Sequence, residues 1–152
     1  VKELLLDLLP LRLAQEVDGH QRLVGGHEHA LERAVGGLTM GADPLAMATA
    51  IAADAHGRDL AAFSIRKEAK AHGTGGRLVG PVVPGTPVTI LEDTTSTGGA
   101  MVEAIEVAQA SGLDVVHAVA LIDRSGSAAS ERMARLGVRY HAVIRPADLG
   151  VE

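Results

Sequence analysis

One stretch constrains the fold of this chain more than any other: Val88-Thr89-Ile90-Leu91-Glu92-Asp93-Thr94-Thr95-Ser96-Thr97-Gly98-Gly99-Ala100. A short apolar run ends in two adjacent carboxylates. Hydroxyl residues and glycines follow, and a helical pattern begins at Ala100. That order predicts a buried strand, a tight loop and a helix N-terminus. Loop amides and the positive end of a helix favour a phosphate dianion, and glycine lets the backbone approach it. Glu92 and Asp93 do not belong beside a bare phosphate, so they are expected to face ribose hydroxyls or a cation. The ligand implied is a phosphorylated sugar. A single cap residue would explain one Ser, Thr or Asp before a helix. It does not explain Glu92 to Thr97 in succession.

The rest of the chain supplies the frame for that segment. Leu60–Ile65, Val88–Leu91, Val115–Ile122 and Val138–Ile144 read as strands, with Ala34-Val35 as a short remnant of another. Helical patterns run from Asp43 or Pro44 to His56, from Ala100 to Ser111 and from Ser127 to Leu136, and Val1–Glu16 reads as an amphipathic helix broken at Pro10. Residues 17–33 show no sustained period and are read as loop. Pro81–Pro87 is read as turns. Strands alternating with helices imply right-handed crossovers and a mostly parallel sheet covered on both faces, an α/β fold. Ligands collect at the carboxyl ends of the strands in such sheets. The 152 residues suit one domain spanning 1–152.

Composition excludes several classes of function. Phe63 and Tyr140 are the aromatic residues, so a stacking platform for single-stranded nucleic acid is lacking, and the formal net charge of −5 argues against a general nucleic-acid or membrane-surface binder. There is no cysteine, which removes disulfide and thiolate chemistry and points to a reducing, cytoplasmic setting. No apolar run is long enough to span a bilayer, and Asp7, Pro10 and Arg12 interrupt the apolar start, so neither a membrane anchor nor a signal peptide is expected.

A second constellation is Arg66-Lys67-Glu68-Ala69-Lys70-Ala71-His72-Gly73-Thr74-Gly75-Gly76. A basic run is usually a solvated loop. Here three cations and a histidine precede glycines within a long mobile loop, 66–80. A flexible cationic flap can neutralise a diphosphate leaving group as its charge builds, then release it. Gly36 to Gly41 is a second glycine-rich turn, but without a following Lys it is no P-loop. Arg124, beside Asp123 at the exit of a buried strand, is either half of a local ion pair or a planar fork for a carboxylate or carbonyl edge. His27 and His29 could chelate, yet with no cysteine a solvated loop is the better account of them and of His20. His56, His117 and His141 are read as structural.

Together these segments resemble the orotate phosphoribosyltransferases of the type I phosphoribosyltransferase family. Ile90 to Ala100 matches the phosphoribosyl-pyrophosphate signature, and Ile65 to Gly80 is similar to the catalytic loop of the orotate branch. Val35-Gly36-Gly37 to Pro44-Leu45-Ala46 resembles the pyrophosphate loop, and Leu121-Ile122-Asp123-Arg124 the strand exit. The final Ala147-Asp148-Leu149-Gly150 resembles actinobacterial members, so the similarity runs from about Val35 to Gly150.

The resemblance implies a Rossmann-like sheet and transfer of ribose 5-phosphate from phosphoribosyl pyrophosphate to orotate, giving orotidine 5′-monophosphate and pyrophosphate, with Mg2+. Glu92 and Asp93 would bind the ribose hydroxyls. Thr94, Thr95, Ser96, Thr97, Gly98, Gly99 and Ala100 would hold the 5′-phosphate. Arg66, Lys67, Lys70 and His72 would meet the pyrophosphate side, Lys70 and His72 as catalytic residues. Ser96 and Arg124 would contact orotate, and no side chain is assigned as a metal ligand. A homodimer is implied, with each flap completing the neighbouring site.

Two departures stand out. Met40 occupies a place where many relatives carry Lys, in a loop one residue longer before Pro44. The family's N-terminal hood, with its Ser-Gly turn, tyrosines and Asp, has no counterpart in 17–33, and the expectation is that a piece of chain is omitted. Alternatives are a purine or uracil phosphoribosyltransferase, a non-catalytic sensor of phosphoribosyl pyrophosphate that would have no need of Lys70 and His72, and a structural α/β subunit.

Overall fold

The structure, a computed structural model, describes residues 32–69 and 76–150. The helix expected over Val1–Glu16, the histidines His20, His27 and His29, and the flap residues Lys70 and His72 lie outside the described residues. The elements follow in the order β1 (Ala34–Leu38), α1 (Ala42–Asp54), β2 (Ala61–Ile65), β3 (Leu78–Val79), β4 (Pro87–Thr95), α2 (Gly99–Ala110), β5 (Asp114–Asp123), α3 (Ala128–Arg135) and β6 (Arg139–Ile144), closed by a 3-10 turn at Pro146–Leu149.

The strands form one six-stranded sheet in the order β3-β2-β1-β4-β5-β6. All neighbours are parallel except β2 and β3. Alternation along the strands splits the core between two faces. Ala34 and Leu38 of β1, with Val88 and Ile90 of β4, pack against Met101, Ala104, Ile105 and Ala108 of α2 and Met133 of α3. Val35 and Leu91 point the other way, against Ala42 and Ala46 of α1. Helices on both faces bury apolar residues of strands that read as near-continuous hydrophobic runs, as expected for parallel pairing. No helix among the described residues is long and apolar enough to cross a membrane.

Three local readings are corrected. The segment taken as a strand remnant and a glycine turn is a full strand, with Gly36 and Gly37 inside it. A Cβ on Gly36 would stand 2.2 Å from the Phe63 carbonyl oxygen, and one on Gly37 would stand 2.2 Å from that of Leu91. The glycines therefore serve close strand packing, and the turn proper is Thr39 to Gly41. The second correction concerns β4, which runs to Thr95, so the acidic pair and two threonines are strand residues, with Glu92 opposite Ala120, Thr94 opposite Ile122 and Thr95 opposite Asp123. β-Branched threonine suits that pleated position. Last, the long loop 66–80 contains β3: Leu78 and Val79 pair antiparallel with Ile65 and Ser64.

Candidate functional site

The sheet reverses direction of growth between β1 and β4. From β1 the chain crosses through α1 to β2 on one side, and from β4 it crosses through α2 to β5 on the other. A crevice opens at the carboxyl ends of such a strand pair, where helix-flanked sheets bind ligands. Register deepens it here. Gly36 pairs with Ile90, and extending that register puts Leu38 level with Glu92, so Asp93 to Thr95 project beyond β1. The turn after β1 comes back against this projection: a Cβ on Gly41 would lie 2.7 Å from Asp93 Oδ1. The turn after β1 thus meets the end of β4, as their order along the chain alone does not reveal.

The loop Ser96–Gly98 then enters α2 without a side-chain cap. Gly98 takes the left-handed conformation with φ 78°, and a Cβ there would be 3.0 Å from the Ala129 Cα of α3. Glycine is demanded on both counts. Thr95 is buried, and its hydroxyl accepts from the Gly98 amide at 2.9 Å. Thr97 Oγ1 accepts from the Gly99 amide at 3.3 Å. These two threonines shape the loop, while the side chains of Asp93, Thr94, Ser96 and Thr97 are exposed. An uncapped helix start beside exposed hydroxyls suits an anion.

Glu92 and Asp93 behave differently although adjacent. Asp93 is exposed and accepts from the Thr94 amide at 2.7 Å. Glu92 is half-buried, and its Oε2 is buried without a hydrogen-bond partner. Burial first, and then the negative charge of Asp93, push the Glu92 carboxyl up to about 7, with the Lys67 ammonium pulling against them. An acceptor oxygen that is buried and unpaired is costly, and a ligand hydroxyl would satisfy it. Arg66 and Lys67 follow the carboxyl end of β2, on the same edge of the sheet as the acidic pair. The described residues contain no group of three or more His, Cys, Asp or Glu that could hold a metal ion.

Arg124 does not pair with Asp123. Asp123 is buried, accepts from the Ser125 amide at 2.7 Å and from the Tyr140 hydroxyl at 2.9 Å. Burial pulls its carboxyl upward, but the hydrogen bonds of Ser125 and Tyr140 and the charge of Arg145 outweigh that and hold it below the usual range. The Tyr140 hydroxyl is pushed up by burial and by Asp123. Arg124 is exposed, and its amide donates to the Thr95 carbonyl at 2.8 Å, fastening the exit of β5 to the end of β4. Met40 is 80% exposed in the turn after β1, so this chain presents a thioether there and no cation.

Among the described residues, His117 and His56 lie away from the strand ends that form the crevice. His117 is buried at the start of β5, opposite Thr89, and burial followed by the charges of Arg139 and His141 lower it to about 4, leaving it neutral. His56 Nδ1 meets the Ala52 carbonyl oxygen at 2.8 Å on the surface of α1. Several contacts had no signature in the sequence: Gly41 against Asp93, Tyr140 on Asp123, Ser64 donating to Asp43 at 2.7 Å, and Arg77 paired with Glu103. The one available signal was the rarity of aromatic residues, which marks Tyr140.

No family model matches the chain. It is 45% identical over 119 residues to the orotate phosphoribosyltransferase of Streptomyces avermitilis, covering 78% of this chain and 65% of that protein. Against the Corynebacterium glutamicum enzyme of the same name the identity is 44% over 118 residues, covering 78% and 62%. The chain therefore spans just under two thirds of the length of these curated relatives. Among solved structures, the orotate phosphoribosyltransferase of Mycobacterium tuberculosis H37Rv superposes with a TM-score of 0.72 at 37% identity, over 92% of this chain and 73% of that one. The same enzyme in complex with 5-phospho-α-D-ribosyl 1-diphosphate gives 0.68 at 34%, over 91% and 72%. A Corynebacterium diphtheriae phosphoribosyltransferase gives 0.72 at 34%, over 92% and 74%. With the crevice, the acidic pair and the uncapped helix already in place, these likenesses show that the chain belongs to the orotate phosphoribosyltransferase family.

Proposed function

We propose that this chain carries the transfer site of an orotate phosphoribosyltransferase, which moves ribose 5-phosphate from phosphoribosyl pyrophosphate to orotate. The observation that carries the reading is the meeting, at one crevice, of a carboxylate with a buried unpaired oxygen and an uncapped helix start. A ligand that satisfies both must bear hydroxyls at one end and a phosphate at the other. Glu92 and Asp93 accept from the ribose 2- and 3-hydroxyls. Ser96, Thr97 and the first amides of α2 take the 5′-phosphate, with Thr94, Thr95, Gly98, Gly99 and Ala100 shaping the loop around it. Arg66, Lys67, Lys70 and His72 attend the diphosphate, and Ser96 and Arg124 the orotate.

The bond from the anomeric carbon to the diphosphate oxygen breaks with its electron pair leaving on oxygen, and pyrimidine N1 bonds to that carbon as it loses its proton. Positive charge builds on the ribose beside the acidic pair, and negative charge on the diphosphate beside the cations. Groups placed in advance for such charges lower the barrier without reorganising. Mg2+ fits the donors present, because it keeps waters and is held through one or two carboxylates plus substrate phosphates, without a protein cage. Glu92 and Asp93 are the side chains nearest such a role, and the ion would supply charge neutralisation on the diphosphate. A homodimer in which each cationic flap serves the neighbouring site belongs to the same proposal, as does a single domain over 1–152.

Pyrophosphate release from phosphoribosyl pyrophosphate with orotate, uracil, adenine and hypoxanthine tests the reading. Release with orotate alone is expected. Release with a purine base instead, or donor affinity without release for any base, would replace it by a salvage enzyme or a sensor.

A further inference from the structure

Asp123, Arg124 and Ser125 are consecutive at the carboxyl end of β5, and each is held by a different part of the fold. Asp123 is buried with both oxygens engaged: Oδ1 accepts from the Ser125 amide at 2.7 Å, and Oδ2 accepts from the Tyr140 hydroxyl at 2.9 Å. The Arg124 amide donates to the Thr95 carbonyl at 2.8 Å. Ser125 Oγ accepts from the Ala129 amide at 3.0 Å, in the first turn of α3. Ala129 in turn backs onto the loop after β4, since a Cβ on Gly98 would lie 3.0 Å from its Cα. Thr95 closes the circuit, its hydroxyl accepting from the Gly98 amide at 2.9 Å. The backbone of two exposed residues, Ser96 and Arg124, is carried by this circuit.

Tyr140 supplies the link that is not local. An Asp carboxylate turns about its last torsion with broad, two-fold freedom. A donor on Oδ2 stops that rotation and keeps Oδ1 facing the Ser125 amide. Tyr140 pairs with Ala118, well before the end of β5, so the phenol extends along the sheet to reach Asp123. We propose that Tyr140 and Asp123 are positioning residues, which lock the β5 exit so that Arg124 and Ser96 stand side by side as one pocket for the accepting base. Engaging both oxygens also keeps Asp123 from drawing the neighbouring guanidinium into a local ion pair, and leaves that planar fork for a carboxylate or carbonyl edge. What the pocket takes rests on the phosphoribosyltransferase reading. The brace itself does not.

Tyr140→Phe tests both halves. Amide hydrogen exchange on the ligand-free full chain reads the brace: exchange at Arg124 and Ser125 is expected to quicken about tenfold more than at Ile90 in the middle of β4. An equal quickening at all three positions, the mark of a merely structural loss, overturns the proposal. Steady-state kinetics read the pocket. The orotate KM is expected to rise about fivefold, with kcat and the donor KM within about twofold. In the Arg124→Ala background the same substitution is expected to add less than about 1.5-fold. An unmoved orotate KM, a matching rise in the donor KM, or an undiminished rise in the Arg124→Ala background each overturns the proposal. Should Tyr140→Phe be too unstable to assay, Ser125→Ala cuts the circuit at α3 and is expected to quicken exchange at Arg124 in the same selective way. An unchanged rate in that variant has the same force. Wild-type protein without turnover on orotate would sink the functional reading alone, because the exchange rates still decide the brace.

Discussion

Replacing Glu92 by Gln separates what this carboxylate does for the fold from what it does for the ligand, and the two effects have opposite signs. Its carboxyl is raised from 4.5 to about 7, mainly by burial and next by Asp93. Below 4.5 the folded and unfolded chains both hold the proton, and the group contributes no pH dependence. Between 4.5 and 7 the folded chain retains a proton that the unfolded chain has released, so stability falls as pH rises through that window. Above 7 both states are ionised and the full cost of the half-buried charge is carried. At about 1.4 kcal/mol per tenfold change in proton affinity the cost has an upper bound of about 3 kcal/mol. Glu92 is only half-buried, and solvent screening reduces that to about 1 to 2 kcal/mol.

Glu92→Gln should therefore leave stability at pH 5 nearly unchanged and raise it at pH 8.5 by about 1 kcal/mol. Affinity for phosphoribosyl pyrophosphate should move the other way. Losing charge-assisted hydrogen bonds from the ribose hydroxyls weakens it about 10- to 100-fold at pH 8. In the unaltered chain the affinity should rise with pH through about 7, as Glu92 ionises. Denaturant unfolding across pH 5 to 8.5 (assay range about as wide as the linkage window requires) and calorimetry with the donor read both quantities. Parallel stability profiles for the two proteins, or donor affinity unaffected by the substitution, would refute the reasoning.

On the proposed function, in which the Lys70 charge is needed only as the diphosphate departs, Lys70→Ala should cut turnover by about 100-fold or more with the melting temperature unchanged; near-normal steady-state turnover would contradict this. Gly41→Ala places a Cβ 2.7 Å from the Asp93 carboxylate; that side chain can yield, so folding is spared while donor affinity measured by calorimetry weakens by about 1 kcal/mol. Tyr140→Phe removes the hydroxyl donor to buried Asp123 and should cost about 1 to 2 kcal/mol. Because Asp123 is held below its usual range, its contribution is present above its unfolded value and lost as pH falls through the folded one, so acid unfolding of Tyr140→Phe should begin at higher pH. Gly36→Ala must part β1 from the Phe63 carbonyl at 2.2 Å, and chemical unfolding should report a loss of about 3 kcal/mol.

The strand, turn and helix start of the proposed anion site were legible because they are contiguous. A strand, a turn and a helix start fall within Val88 to Ala100, and each is written in a local pattern that propensity and capping rules can read. The boundaries shifted where a residue's meaning depends on a neighbour across the sheet. Gly36 and Gly37 look like a turn in isolation, and only the carbonyls of Phe63 and Leu91 explain why they sit in a strand. Thr94 and Thr95 look like loop until β5 offers them Ile122 and Asp123 as partners. Contacts between distant residues were invisible for the same reason: Arg77 meets Glu103 across 26 positions and Tyr140 meets Asp123 across 17. No periodicity encodes such pairs, because each is decided by how β2, α2, β5 and β6 are stacked.

That stacking also explains how one crevice tolerates an acidic pair near a site suited to anions. Glu92 lies inside β4, while the proposed anion-binding positions begin at Ser96, beyond the strand's last residue. Thr95 sits between them, buried, with its hydroxyl turned to the Gly98 amide and its carbonyl held by the Arg124 amide. The chain is pinned at that point on both sides, which keeps the carboxylates from swinging toward the helix start and cancelling its positive field. A free phosphate would gain from one end and be repelled by the other. On the proposed function a phosphorylated pentose gains from both, and that preference would follow from where β4 stops and not from any single side chain.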